Sequence, residues 1–145
     1  MMRVIVAGVF VLTNVVGPAM AQTPCTPFGG NMTGNAIQAL LNPGHNVYTC
    51  YNPGTRENNE TLLNGTTSGT FQEYHTGGTT IQNEGNYTIS GGGNAGTIAY
   101  AYTGGKTYTY DICLTPSGNT YQFVNTSTNA LLSIVVTTSA TGGSC

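Results

Sequence analysis

Residues 96–125 constrain the fold more than any other stretch of this sequence. The stretch reads GTIAYAYTGGKTYTYDICLTPSGNTYQFVN and contains three runs of strand-forming residues separated by two turn signals. Gly104 and Gly105 supply the first turn, because glycine adopts a positive φ without steric cost. Residues 116–119 (PSGN) supply the second turn. The pattern therefore predicts an antiparallel meander.

The pairing register decides which side chains of this meander are buried. If Gly104 and Gly105 alone form the first loop, Ala101 faces Tyr108 across the hairpin. The predicted buried face then consists of Ala99, Ala101, Tyr108, Tyr110, Ile112, Leu114, Tyr121 and Phe123. Tyr100 and Tyr102 belong to the opposite, outer face. A shift of one residue would exchange the two faces of a strand.

The first 21 residues are typical of a signal peptide. They contain a basic residue, Arg3, then an apolar run over residues 4–16 and a small-x-small cleavage sequence at residues 19–21 (AMA). The apolar run is too short for a convincing membrane span. We expect one mature domain, residues 22–145, that is secreted or periplasmic and has no integral membrane span.

Charged residues are scarce, with three basic and five acidic side chains and a formal net charge of −2. A nucleic-acid partner is disfavoured, because phosphate binding needs a basic surface. Sequence motifs for a phosphate loop, a calcium loop or a catalytic serine are absent, and no cofactor is expected.

Four cysteines follow the predicted signal peptide: Cys25, Cys50, Cys113 and Cys145. An even number of cysteines in a small exported domain predicts two disulfides. Three pairings are possible, and we favour Cys25–Cys50 with Cys113–Cys145, because each of these bonds closes a local unit. Metal binding is disfavoured, because the sequence has no C-x-x-C pair and only two histidines.

The remaining segments predict one helix and further strands. Asn35 and Gln38 have the spacing of a capping box, and the apolar residues that follow have helical spacing up to Leu41. Strands are expected at residues 45–51, 66–75, 79–82, 86–90 and 130–138, and a polar loop at 52–64. The sequence thus predicts a mainly β fold, a small barrel or sandwich of about eight strands with one short N-terminal helix.

Three segments resemble a group of small, exported, β-rich bacterial proteins of unassigned function. They are residues 35–50 (NAIQALLNPGHNVYTC), 71–78 (FQEYHTGG) and 85–112, which ends in the Tyr-rich hairpin. Phe71 and Tyr87 stand where that group usually has tryptophan. The resemblance implies an exported, β-rich protein and carries no mechanism.

Glu73 and His75 are the one acid and imidazole that lie close together in the sequence. Two residues apart on a strand, they project to the same face. They could act as a general base with its orienting carboxylate, contact a ligand in a cavity, or form a simple surface pair. Glu84 could form an acid pair with Glu73 if the intervening turn brings the two carboxylates together.

Tyr100 and Tyr102 give the stronger functional indication. A tyrosine presents a stiff apolar body with a polar tip, which suits recognition of a protein or glycan surface. In a closed barrel the same two rings could instead be covered. We therefore expect a non-catalytic binding or inhibitory module. The alternatives are a self-associating matrix or filament component, and a small hydrolase-like enzyme that uses Glu73 and His75.

Overall fold

The structure, a computed structural model, describes residues 24–41, 47–51, 56–61, 67–74 and 80–138. Within these residues a 3-10 helix (Thr26–Phe28) and one α-helix, α1 (Gly34–Leu41), precede eight strands. The strands are β1 (Val47–Tyr51), β2 (Arg56–Thr61), β3 (Ser68–Tyr74), β4 (Ile81–Ile89), β5 (Thr97–Tyr102), β6 (Thr107–Ile112), β7 (Thr120–Asn125) and β8 (Leu131–Thr138). Each strand pairs antiparallel with the next, and β1 pairs with β8, so the sheet closes into a barrel.

The predicted fold class is confirmed, but the secondary structure differs from the prediction in two places. Residues 52–64, expected to be a polar loop, contain β2, whose sequence RENNET is poor in the residues that favour strands. Backbone hydrogen bonds to β1 and β3 on its two sides hold this segment as a strand despite its low strand propensity. One continuous strand, β4 (Ile81–Ile89), replaces the two separate strands expected at 79–82 and 86–90.

Helix α1 covers one end of the barrel. Its N-cap is Thr33, whose Oγ1 accepts a hydrogen bond from the Ala36 N–H at 3.2 Å, so the expected cap at Asn35 is wrong. The backbone N–H groups of Gly34 and Asn35 donate to carbonyls of the β4–β5 turn at 3.1 and 2.7 Å. Gly34 is required there, because a Cβ would collide with the Ser90 carbonyl. The helix is thereby fixed to the barrel by its first turn.

The barrel interior and α1 share one hydrophobic core. Ile37 and Leu41 of the helix are fully buried in the same cluster as Val47, Ile89 and Ile98 of the strands. Ile134 and Val136 of β8 are buried in it and Leu132 packs against it, as their alternation in the sequence predicted. The core therefore runs from the helix into the barrel.

Residues 24–33, which we call the N-terminal strap, run beside the end of β6. Met32 N–H donates to the Ile112 carbonyl at 2.7 Å, and the Leu114 N–H donates to the Gly30 carbonyl at 2.9 Å. A disulfide joins Cys25 to Cys113, with 5.1 Å between their Cα atoms. The strap covers part of the outer face of the sheet, where these two cysteines are buried with Val124.

The expected cysteine pairing is wrong. Cys25 and Cys113 are bonded to each other, which excludes both Cys25–Cys50 and Cys113–Cys145. The reason is the path of the strap, which places Cys25 beside Cys113, the residue that follows β6 and lies 88 positions later in the sequence. Cys50 is also disulfide-bonded, and Cys145 lies outside the described residues.

The register of the β5–β6 hairpin differs from the prediction by one residue. Tyr102 N–H donates to the Lys106 carbonyl at 2.8 Å, so three residues, Thr103 to Gly105, form the loop instead of two. Tyr100 therefore pairs with Tyr108, and Ala101 with Thr107. A shift of one residue reverses the faces of β5.

As a result, Tyr100 and Tyr102 point into the barrel, and the predicted outward placement of both is wrong. Tyr100 is 3% exposed, whereas Ala101 is exposed and Ala99 half-buried on the outer face. The second turn is as predicted, because Ile112 pairs with Phe123. Leu114 was expected to be buried, but it lies beyond the end of β6 and is 49% exposed.

The predicted signal peptide, residues 1–21, lies outside the described residues. In the part of the chain that the structure describes, no helix is long and apolar enough to cross a membrane.

Candidate functional site

A series of aromatic rings leads from the core to the barrel end opposite α1. Phe71 makes edge-to-face contacts with Tyr100 and Tyr102, with ring centroids 5.2 and 4.8 Å apart. Tyr102 makes a further contact with Tyr108 at 5.7 Å. Exposure increases along this series, from buried Tyr100 through half-buried Tyr102 to Tyr108, which is 39% exposed. Each ring in the series, including the exposed Tyr108 ring, therefore packs against at least one other ring.

The last two rings line a cavity of about 430 Å³ at this end, which we call the mouth cavity. Glu73 of β3 and Asn83 of β4, which are register partners, form one side of the lining. The full lining is Glu73, Asn83, Tyr102, Thr103, Gly104, Lys106 and Tyr108. The ends of four neighbouring strands and one tight turn therefore supply the site.

A second cavity of about 320 Å³, the outer cavity, lies next to the first. Two cross-strand pairs of polar residues, Thr70 with Asn86 and Gln72 with Glu84, line it. Thr103 lines both cavities. The Thr103 N–H donates to the Glu84 carbonyl at 2.9 Å, which fixes the turn as a wall between them.

Three of the eight charged residues in the sequence line these two cavities. The sequence has three basic and five acidic residues, and of these Glu73 and Lys106 line the mouth cavity and Glu84 the outer one. A carboxylate accepts hydrogen bonds, an ammonium donates them, and an amide or phenol does both. The mouth cavity can therefore hold a neutral polar ligand that also has an apolar face.

The structure brings together two of the four predicted binding residues. Glu73 and Tyr102, which the sequence analysis assigned to two separate hypotheses, line the same cavity. Tyr100 lies beneath them in the core. His75 lies outside the described residues, so its partnership with Glu73 stays a prediction.

The predicted acid pair of Glu73 and Glu84 is wrong. Glu84 pairs with Gln72, the residue before Glu73, and adjacent strand residues project to opposite faces of a sheet. The two carboxylates accordingly line different cavities.

Sequence reasoning missed Lys106, Asn83 and the exposed tip of Tyr108 as site residues. Lys106 gave a usable signal, because it is the only lysine in the sequence and directly follows the Gly104-Gly105 turn. Asn83 gave none, because asparagine is abundant throughout this chain.

Among the described residues, no group of three His, Cys, Asp or Glu side chains is placed to hold a metal ion. No family model, no curated protein and no solved structure matches the chain.

Proposed function

We propose that this protein is an exported, non-catalytic binding module that holds a saccharide unit of a glycan in the mouth cavity. The observation that carries the proposal is the combination of Tyr102 and Tyr108 with Glu73, Asn83 and Lys106 around one cavity. Its volume of about 430 Å³ is within the roughly 300–1,000 Å³ of small-molecule sites.

A pyranose ring matches both parts of this lining. Its C–H face packs on the apolar body of a tyrosine, and its hydroxyl groups exchange hydrogen bonds with amide, carboxylate and ammonium groups. Hydrogen bonds to the charged groups are the stronger ones. The lining thus offers a partner to each face of the sugar.

The rings are also ordered before any ligand arrives. Tyr102 contacts Phe71 on one side and Tyr108 on the other, at 4.8 and 5.7 Å between ring centroids. Binding to side chains that are already held loses less conformational entropy than binding to mobile ones. This arrangement favours a recognition site over an incidental depression.

The closed sheet supports a binding module over the filament-forming alternative. Every strand from β1 to β8 is hydrogen-bonded to a neighbour on both sides. Strand addition between molecules needs an open sheet edge, and a closed barrel has none. The hydrolase alternative depends on His75 and stays a prediction.

The proposal is tested on a glycan array that displays glucose, galactose, mannose, N-acetylglucosamine and glucuronate, each as one to four linked units. We expect the purified protein to bind at least one of these sugars. Tyr108→Ala should weaken that binding at least about tenfold, because it removes the exposed stacking ring.

Leu131→Ala is the matched control. Leu131 is an exposed apolar residue at the first position of β8, at the same end of the barrel, and it does not line the cavity. Its truncation should leave the affinity unchanged. Binding to no sugar on the array, or equal losses for the two variants, would overturn the proposal.

A further inference from the structure

We propose that the outer cavity is a second subsite, so that the ligand is an oligosaccharide that crosses the barrel rim at Thr103. This inference rests on the proposed function and adds the size of the ligand to it. The outer cavity, of about 320 Å³, adjoins the mouth cavity of about 430 Å³, and each is near the lower end of the roughly 300–1,000 Å³ range of small-molecule sites. Each suits one sugar ring.

The wall between the two cavities is thin and fixed. Thr103 lines both of them, and its N–H is held by the Glu84 carbonyl at 2.9 Å. Gly104 and Gly105 follow it with φ of 112° and 99°, a conformation that favours glycine. No other atom lies within 4 Å of the Cβ position at either glycine, so these two residues leave the rim beside Thr103 open. A linked chain can therefore pass over this turn.

The two cavities offer complementary chemistry. The mouth cavity supplies aromatic faces from Tyr102 and Tyr108. The outer cavity supplies hydroxyl, amide and carboxylate groups from Thr70, Gln72, Glu84 and Asn86, three of which belong to exposed residues. A first sugar unit would stack in the mouth, and the next unit would be held by hydrogen bonds to its hydroxyl groups.

The test measures affinity against chain length by calorimetry, with the free one-, two- and three-unit forms of the sugars that bind on the array. For the wild-type protein we expect a gain of at least about tenfold from one to two units, because the second unit binds intramolecularly once the first is held. The double variant Glu84→Ala/Asn86→Ala should lose this gain and keep the one-unit affinity within about twofold.

The double variant should fold normally, because both side chains are exposed and the Glu84 carbonyl that holds Thr103 is backbone. Tyr108→Ala should instead weaken binding of every chain length. Equal wild-type affinity for one and two units, or a full gain retained by the double variant, overturns the second subsite and leaves the mouth proposal intact. Binding to no sugar on the array overturns the mouth proposal itself.

Discussion

Two glycines and two aromatic residues set the pairing of β3 with β4. Gly69 pairs with Tyr87, and Phe71 pairs with Gly85. The two strands carry the same motif, glycine-x-aromatic, so antiparallel pairing places each ring opposite the glycine of the other strand. A Cβ at Gly69 would collide with the Tyr87 ring, and a Cβ at Gly85 with the Ala101 carbonyl and the Phe71 ring. The Phe71 and Tyr87 rings fit inside the barrel because glycine leaves room opposite each of them.

We expect Gly85→Ala to lower the free energy of unfolding by about 2–3 kcal/mol, because the added methyl group overpacks a backbone contact that cannot move aside. Gly93→Ala is the matched control, since no atom lies within 4 Å of its Cβ position and its φ is not in the left-handed region. That variant should be neutral or slightly stabilising. Urea denaturation of the two variants measures the difference, and similar stabilities would contradict the packing argument.

Asp111 is a half-buried acid on the outer face of β6. Burial raises the pKa of its carboxyl above the ordinary value of 3.8, and a hydrogen bond from the Asn31 side chain offsets part of that increase. A raised pKa means that the folded state holds the proton more tightly than the unfolded state. The corresponding stability is present below pH 3.8 and is lost as the pH rises through the folded-state pKa.

Asp111→Asn removes this titration. Its free energy of unfolding should therefore rise relative to the wild type as the pH increases from about 3 to about 7. Asn31→Ala should have the opposite effect, because it removes the hydrogen bond that favours the ionised form. Urea denaturation at several pH values gives both differences. A difference between Asp111→Asn and wild type that does not change with pH would refute the assignment.

At the scale of elements, the sequence predicts the strands of the β5–β6 hairpin but not their register. Two adjacent glycines fit a two-residue loop and equally the end of a three-residue loop. The hydrogen bond from the Tyr102 N–H to the Lys106 carbonyl defines the longer loop, and in its register Tyr100 is buried in the barrel core. One residue of loop length therefore decides whether Tyr102 faces the cavity or the solvent.

The faces of β6 and β7 are as predicted, although the turn between them does not by itself set their register. Ser117 and Thr120 exchange backbone hydrogen bonds at 2.9 and 3.0 Å around Gly118, whose φ is 61°. Pairing continued from these two residues would place Ile112 opposite Asn125, whereas Ile112 pairs with Phe123, and an offset of two residues leaves the same side chains on each face. By contrast, β2 has no local signal of its own, since RENNET is a strand only through its two neighbours.

Deleting Gly105 tests the loop-length argument. If the loop is Thr103 to Gly105, the deletion leaves two residues between Tyr102 and Lys106, and a two-residue hairpin loop can keep the native register. We therefore expect it to cost less than about 2 kcal/mol in the free energy of unfolding. Deletion of Ala101 is the comparison, because one residue fewer within β5 moves Tyr100 to the outer face, and we expect a loss of at least about 3 kcal/mol. Equal losses for the two deletions, measured by urea denaturation, would contradict the three-residue loop.

At the scale of the whole molecule, the two ends of the barrel differ in what they expose. Helix α1 buries Ile37 and Leu41 at one end. The other end holds the mouth cavity and the outer cavity. It also holds three of the four large apolar side chains that are exposed among the described residues: Ile81, Tyr108 and Leu131. The sequence predicted the helix and the tyrosine-rich strands, but it did not predict that they lie at opposite ends of the barrel. Strand order and barrel closure determine which turns share an end.

The Cys25–Cys113 disulfide ties the strap to the barrel. Its sequence separation is 88 residues and encloses α1 and β1 to β6. A disulfide that closes a loop of this length lowers the conformational entropy of the unfolded chain, which on the chain-entropy model stabilises the folded state by about 4–5 kcal/mol. Both sulfur atoms also lie in the small buried cluster with Val124, so part of the bond's effect is packing.

We expect Cys25→Ala/Cys113→Ala to lower the free energy of unfolding by about 3–5 kcal/mol. Val124→Ala is the control for the packing part alone, with an expected loss of about 1–3 kcal/mol. Peptide mapping without reduction should find Cys25 and Cys113 in one linked pair. A Cys25–Cys50 peptide in that map, or a double variant no less stable than Val124→Ala, would refute the strap as the element that fixes the end of β6.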